Sequence, residues 1–218
     1  YTVNGVSFDM IKVEGGTFTM GATSEQGEDA EDWEKPAHKV TLSDYYIGKT
    51  EVTQALWEAV MGNNPSSFKG ENLPVECISW NDCKAFISKL NSLTGKRFRM
   101  PTEAEWEYAC IGGRGEPVER YSGHEQVDGS AKVVAWWGDD LRHPQAVGQL
   151  IPNVLGLYDM TGNVDEICSD IWHTSHSKKA QVNPQGPNPS PCVSNKPNHR
   201  HVVRGGNFRR LRWYNGRD

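Results

Sequence analysis

The 218 residues suffice for one large domain whose core needs no covalent staples, and 22 Gly with 12 Pro imply many turns among few long elements. A net charge of −5 with both signs mixed along the chain argues against a general nucleic-acid binder, and no apolar run approaches the roughly 18 residues of a membrane span. Eight Trp in so polar a chain point to a loop-rich fold packed by aromatic side chains.

From the N-terminus, Met10 to Met20 alternates around Gly15-Gly16 and predicts two short strands paired across that turn. Residues 21–36 are acidic and polar, a solvated loop. Val40-Thr41-Leu42 and Tyr45 to Lys49 predict further strands. Three helices follow. The first is expected over Thr53 to Met61, with Gly62 placed to end it. The second is expected over Asn81 to Leu93, where Cys83, Phe86, Ile87, Leu90 and Leu93 form an apolar stripe at helical spacing and Gly95 closes the element. The third begins at Pro101-Thr102. There Thr102 and Glu105 have the spacing of a capping box, Trp106, Ala109 and Cys110 point inward, and Gly112-Gly113 stops the helix.

Beyond residue 112 the periodicity fades, and Trp136, Trp137, Tyr158 and Trp172 punctuate irregular chain. Asn183 to Pro197 holds five prolines and is expected as an exposed loop inserted within a single domain spanning 1–218. The five cysteines (Cys77, Cys83, Cys110, Cys168, Cys192) form no CxxC pair and no zinc-like spacing, and their odd number leaves at least one thiol without an internal partner. Cys83 and Cys110 read as small buried hydrophobes on helix faces; the redox compartment stays open. The chain opens on Tyr1, and a cleaved leader would leave no trace.

Several strings then line up in order: Gly48-Lys49-Thr50-Glu51-Val52-Thr53, Leu73-Pro74-Val75-Glu76, Ser79-Trp80-Asn81-Asp82-Cys83, Arg99-Met100-Pro101-Thr102-Glu103-Ala104-Glu105-Trp106-Glu107-Tyr108-Ala109, Gly156-Leu157-Tyr158-Asp159-Met160-Thr161-Gly162-Asn163-Val164 and Val203-Arg204-Gly205-Gly206. Together they resemble the sulfatase-modifying-factor family, which includes the formylglycine-generating enzyme. The resemblance implies an α+β fold, the C-type lectin fold of the formylglycine-generating-enzyme type, loop-rich with short strands and about three helices. It does not by itself carry chemistry.

In the active oxidase, two cysteines after the Arg-Gly-Gly segment bind Cu(I), whose softness calls for thiolate. By resemblance those positions fall on Arg210 and Asn215, and no cysteine lies beyond Cys192. No catalytic residue is therefore expected, and a formylglycine-generating oxidase or related metal-dependent sulfur-chemistry enzyme is the alternative. A second branch of the family uses a His-rich iron site. Its candidates are His173, His176, His199 and His201, which read more plainly as solvent-facing side chains of polar segments. After Gly162-Asn163-Val164 the family pattern of alternating tryptophans is replaced at Asp165, Ile167 and Ile171, which in extended chain share one face with Ser169 and His173. The tail after Gly206 departs too. Change confined to these places resembles the variable proteins of diversity-generating retroelements, which vary a patch near the C-terminus.

The expectation is thus a non-catalytic display protein that binds a protein or other surface ligand through Asp165, Ile167, Ser169, Ile171, His173, Asn207, Arg209, Arg210, Arg212, Trp213, Tyr214 and Asn215. Arginines would meet acidic or polar groups, and Trp213 and Tyr214 would act as anchors. The subtype implies export to a bacterial surface or periplasm. No cofactor is required, although the resemblance implies a structural Ca²⁺ held by Asp159, the Gly162 and Val164 carbonyls and Glu166, hard oxygen donors that suit calcium. A structural surface lipoprotein subunit is the third reading.

Overall fold

A computed structural model of the chain describes residues 1–22, 32–113, 134–138, 141–186 and 200–209. Asn4 and Gly5, both at positive φ, make the two-residue turn between β1 (Thr2–Val3) and β2 (Val6–Ser7), the geometry whose twist matches paired strands. Val3 then joins Leu56, Trp57 and Val60 of α1 (Gln54–Met61) and Phe86 and Leu90 of α2 (Trp80–Thr94) in one apolar cluster. At its centre Trp57 and Phe86 stack with centroids 4.9 Å apart.

The helix boundaries follow local chemistry. Thr53 caps α1 and Ser79 caps α2, the latter through a reciprocal box with Asp82, and Gly62 and Gly95 end the two helices in the left-handed region. The stripe expected on α2 is narrower than its spacing implied. Phe86 and Leu90 are buried and Cys83 and Ile87 half-buried, but Leu93 is 47% exposed, because α2 meets α1 and β1 on one side only.

The pairing of the first strands also differs from expectation. β3 (Met10–Val13) and β4 (Thr17–Met20) do not pair with each other. β3 pairs antiparallel with β6 (Tyr45–Gly48), and β4 pairs antiparallel with β5 (His38–Thr41). Gly15-Gly16 carries the chain from one sheet to the other. Glycine is required there because a Cβ at Gly15 would stand 2.3 Å from the Leu42 carbonyl oxygen, and one at Gly16 2.4 Å from the Tyr108 hydroxyl.

The larger core cluster lies under these strands and α3 (Glu103–Cys110), with Val13, Phe18, Val40, Trp106 and Leu157 nearly inaccessible. Every residue of α3 is buried, three glutamates included. The capping box is as expected: Thr102 Oγ1 accepts from the Glu105 amide, and the Glu105 carboxylate accepts from the Thr102 amide. β7 (Glu166–Ile171) packs across α3 and pairs antiparallel with β9 (His201–Arg204), with a register shift between Ile167 and Ile171. β8 (Gln181–Val182) adds a parallel strand to β5, and Asn183 clips it to Ser43 through two hydrogen bonds. Most of the proline-rich loop, from residue 187, lies outside the described residues. Among the described residues no helix is long and apolar enough to cross a membrane, and Cys77, Cys83 and Cys168 are free thiols.

Candidate ligand cavity and its acidic support

Along β7 the residues alternate as extended chain requires. Cys168 and Asp170 are buried, while Asp165, Ile167, Ser169 and Ile171 are half-buried on the other face. A cavity of about 950 Å³ opens beside the start of this strand. Asp165, Ile167, Asn207 and Arg209 all line it. The two segments are joined directly, since Asn207 Nδ2 donates to Asp165 Oδ2 at 2.7 Å, and Asn207 Oδ1 accepts from the Arg209 amide. Phe208 is held between them: its amide donates to the Asn163 carbonyl, its carbonyl accepts from the Gly138 amide, and the Arg209 guanidinium sits 5.4 Å from its ring. The other oxygen of Asp165, Oδ1, is buried without a partner. A bound donor would satisfy it.

Ser169, Ile171 and His173 do not line this cavity. The Ser169 hydroxyl donates to Asp170 Oδ2, and His173 turns toward Glu103. Arg210, Arg212, Trp213, Tyr214 and Asn215 lie outside the described residues, as does His199. His201 stacks on Trp80 at 3.9 Å and pairs through Nδ1 with the Asp170 carbonyl.

The cavity lining also includes two buried carboxyls, Glu51 and Glu166, whose charges interact with that of Asp159. Glu51 accepts from the Asn163 side-chain amide at 2.8 Å and from the Val164 amide at 3.2 Å, and Asp159 Oδ2 accepts from the Gly148 amide at 2.7 Å. Asp159 Oδ1 is buried and unpartnered. Burial and the charges of Asp159 and Glu166 push Glu51 well above the ordinary carboxyl range. Burial raises Asp159, and burial with the nearby Asp159 charge pushes Glu166 up to about 7, which the Trp106 indole, completing no hydrogen bond of good geometry, only partly offsets. Burial raises all three carboxyls, the Asp159 charge adds to the rise at Glu51 and Glu166, and the orphaned Asp159 oxygen is one that a hard cation would satisfy; Asp159 and Glu166 belong to the expected calcium set with Gly162 and Val164. The local sequence does not single out Glu51 or Asn163 as site residues. Their only signal was membership of the Lys-Thr-Glu-Val-Thr and Gly-Asn-Val strings, since nothing local shows that residues 112 positions apart meet.

Short strands and three capped helices that set a cavity between the end of one strand and a C-terminal segment define a lectin-like α+β scaffold. The sequence matches the sulfatase-modifying factor enzyme 1-like domain over residues 4–215, and the chain belongs to that family. It is 36% identical over 220 residues to the chaperone protein LppX of Paenibacillus barcinonensis, covering 78% of this chain and 73% of that protein. It is 28% identical to the mouse formylglycine-generating enzyme, covering 82% of this chain and 62% of the enzyme's own length. Among solved structures it superposes on variable protein 1 of Treponema denticola with a TM-score of 0.83 and 29% identity, over all of this chain and 92% of that one. The fold is the C-type lectin fold of the formylglycine-generating-enzyme type.

Proposed function

We propose that this chain is a non-catalytic ligand-binding display protein of the diversity-generating-retroelement kind, presenting a protein-binding patch around the cavity at Asp165, Ile167, Asn207 and Arg209. One observation carries the reading: positions picked out because they depart from the family pattern, 42 residues apart in sequence at Asp165 and Asn207, line one cavity and touch. Arg210, Arg212, Trp213, Tyr214 and Asn215 would extend the patch. The likeness to a protein called variable and to one called a chaperone supports a protein ligand and export to a bacterial surface or periplasm. Against the oxidase reading stands the chain's own sulfur, since none of its cysteines follows Cys192.

A structural calcium would be held by Asp159, Glu166 and the Gly162 and Val164 carbonyls, with Glu51 as a further acidic neighbour. It would neutralise the enclosed carboxyls and brace the loop that carries Asp165.

A display library tests the reading. Positions 165, 167, 207, 209 and 210–215 are randomised and selected against a purified test protein such as lysozyme. Selected binders should keep melting temperatures within a few degrees of the parent. A library in which most members unfold would identify these residues as core and end the proposal. An oxygen electrode with Cu(I) and a cysteine-containing peptide should record no consumption above the blank, and turnover there would restore the enzyme reading. A reverse transcriptase gene and a near-copy of the C-terminal coding segment in the neighbouring DNA are also expected.

A further inference from the structure

Away from the cavity, the segment after β7 folds back onto the N-terminus of α3. Glu103 opens that helix, and its amide donates to Asp170 Oδ2 at 2.9 Å, which fixes its backbone against β7. Its side chain is nearly inaccessible and uses Oε1 to accept from Arg204 Nη2 at 2.6 Å. Oε2 faces His173 Nε2 at 3.7 Å, and His176 Nε2 stands 3.8 Å from Oε1. These separations are too long for good hydrogen bonds. One ligand atom from each of Glu103, His173 and His176 lies within 4.8 Å of the other two, a property no other His, Cys, Asp or Glu group of three or more has among the described residues.

His176 is the telling member. It is 6% exposed, and both its ring nitrogens are buried without a hydrogen-bond partner, as is Nδ1 of His173. A buried imidazole with two idle nitrogens is costly unless something else occupies one of them. The fold nonetheless holds the ring in place. The His176 amide donates to the Lys35 carbonyl, the His173 ring stands edge-on at 5.4 Å, and Gly21 leaves room that a Cβ would fill at 2.7 Å from Nδ1. The negative charges of Glu34, Glu103 and Glu107 all bear on the Arg204 guanidinium beside this group.

We propose that Glu103, His173 and His176 form a binding site for one divalent transition-metal ion, of which zinc is the best match. Two imidazoles and one carboxylate are a borderline-hard donor set that suits zinc and its first-row neighbours, not calcium. Ligand atoms around zinc stand roughly 3–3.5 Å apart, so closure from the present spacing takes about 1 Å of side-chain movement. Arg204 keeps its bond to the other carboxylate oxygen and orients it, as outer partners of metal ligands do. The ion would tie the chain after β7 to α3 and so stiffen the strand whose first residues line the cavity. The site is independent of the proposed ligand and stands or falls separately.

The full chain, stripped with chelator and dialysed, is titrated calorimetrically with Zn²⁺ and separately with Co²⁺ while visible absorption is recorded. One equivalent should bind, with a d–d band for cobalt, and excess Ca²⁺ should not displace it. His176→Ala and His173→Gln should each weaken zinc by roughly tenfold or more, a loss at least that of an outer-sphere change. His143→Ala, His201→Ala and Cys77→Ser should leave it unchanged. His173 is only half-buried, so its variant keeps the test alive if His176→Ala fails to fold. Zinc binding no tighter in the parent than in His173→Gln, or lost on changing His201 or Cys77, would overturn the assignment.

Discussion

At the residue scale, the first turn of α3 shows how much one side chain can hold. Thr102→Ala removes a cap and should cost about 1 kcal/mol, a fall in melting temperature of about 2–4 °C by calorimetry. Glu105 completes the box and also takes a bidentate grip from Arg99 at 2.6 and 2.7 Å. Burial alone would raise its carboxyl, but Arg99 and the Thr102 amide outweigh that and hold it below the usual 4.5. A lowered folded pKa means stability fully present above about pH 4.5 and lost as pH falls through the lowered value. The stability gap between the parent and Glu105→Gln should therefore be full at neutral pH and close on acidification, read from denaturant melts across that range. The Thr102 and Glu105 box was legible in the sequence because its chemistry spans only three residues. Glu103 and Glu107 were not, since both lie buried on Arg204, 101 and 97 residues away.

At the element scale, helix ends and strand alternation could be read directly, but strand partners could not. Gly15-Gly16 has the composition of a hairpin turn, yet β3 pairs with residues 45–48 and β4 with residues 38–41. What decides is the close approach of the Leu42 carbonyl and the Tyr108 hydroxyl, which no local pattern reports. The Asn4-Gly5 hairpin was there to be found from its dipeptide and its flanking valines. Gly15→Ala should destabilise the fold by about 1–3 kcal/mol through overpacking against backbone that cannot easily move. On α2, Leu90→Ala should cost about 2–5 kcal/mol, while Leu93→Ala should stay within about 0.5 kcal/mol, because only the former leaves a cavity. Equal losses at the two positions, measured by urea unfolding, would mean that α2 is covered on its outer side.

At the scale of the whole molecule, folding brings the carboxyls of Glu51, Asp159 and Glu166 from distant parts of the chain into one another's field. Asp159 and Glu166 could be named from the Gly-Leu-Tyr-Asp and Asn-Val-Asp-Glu strings, whereas Glu51 comes from the other side of the chain and becomes visible only once folded. Removing calcium with a selective chelator at neutral pH should lower the melting temperature, and Asp159→Asn should reduce that calcium response. An unchanged melting curve with and without the ion would show that the carboxyls are carried as neutral acids instead.

The bond from Arg204 to Glu103 and Glu107 has a consequence for synthesis. Breaking a buried ion pair by removing one partner costs on the order of 3–5 kcal/mol, because it strands the other charge away from water. Until residue 204 has left the ribosome, α3 would have to bury two glutamates with no guanidinium to receive them. The nascent chain should therefore hold its central core open, and a fragment truncated ahead of β9 should be protease-sensitive along most of its length.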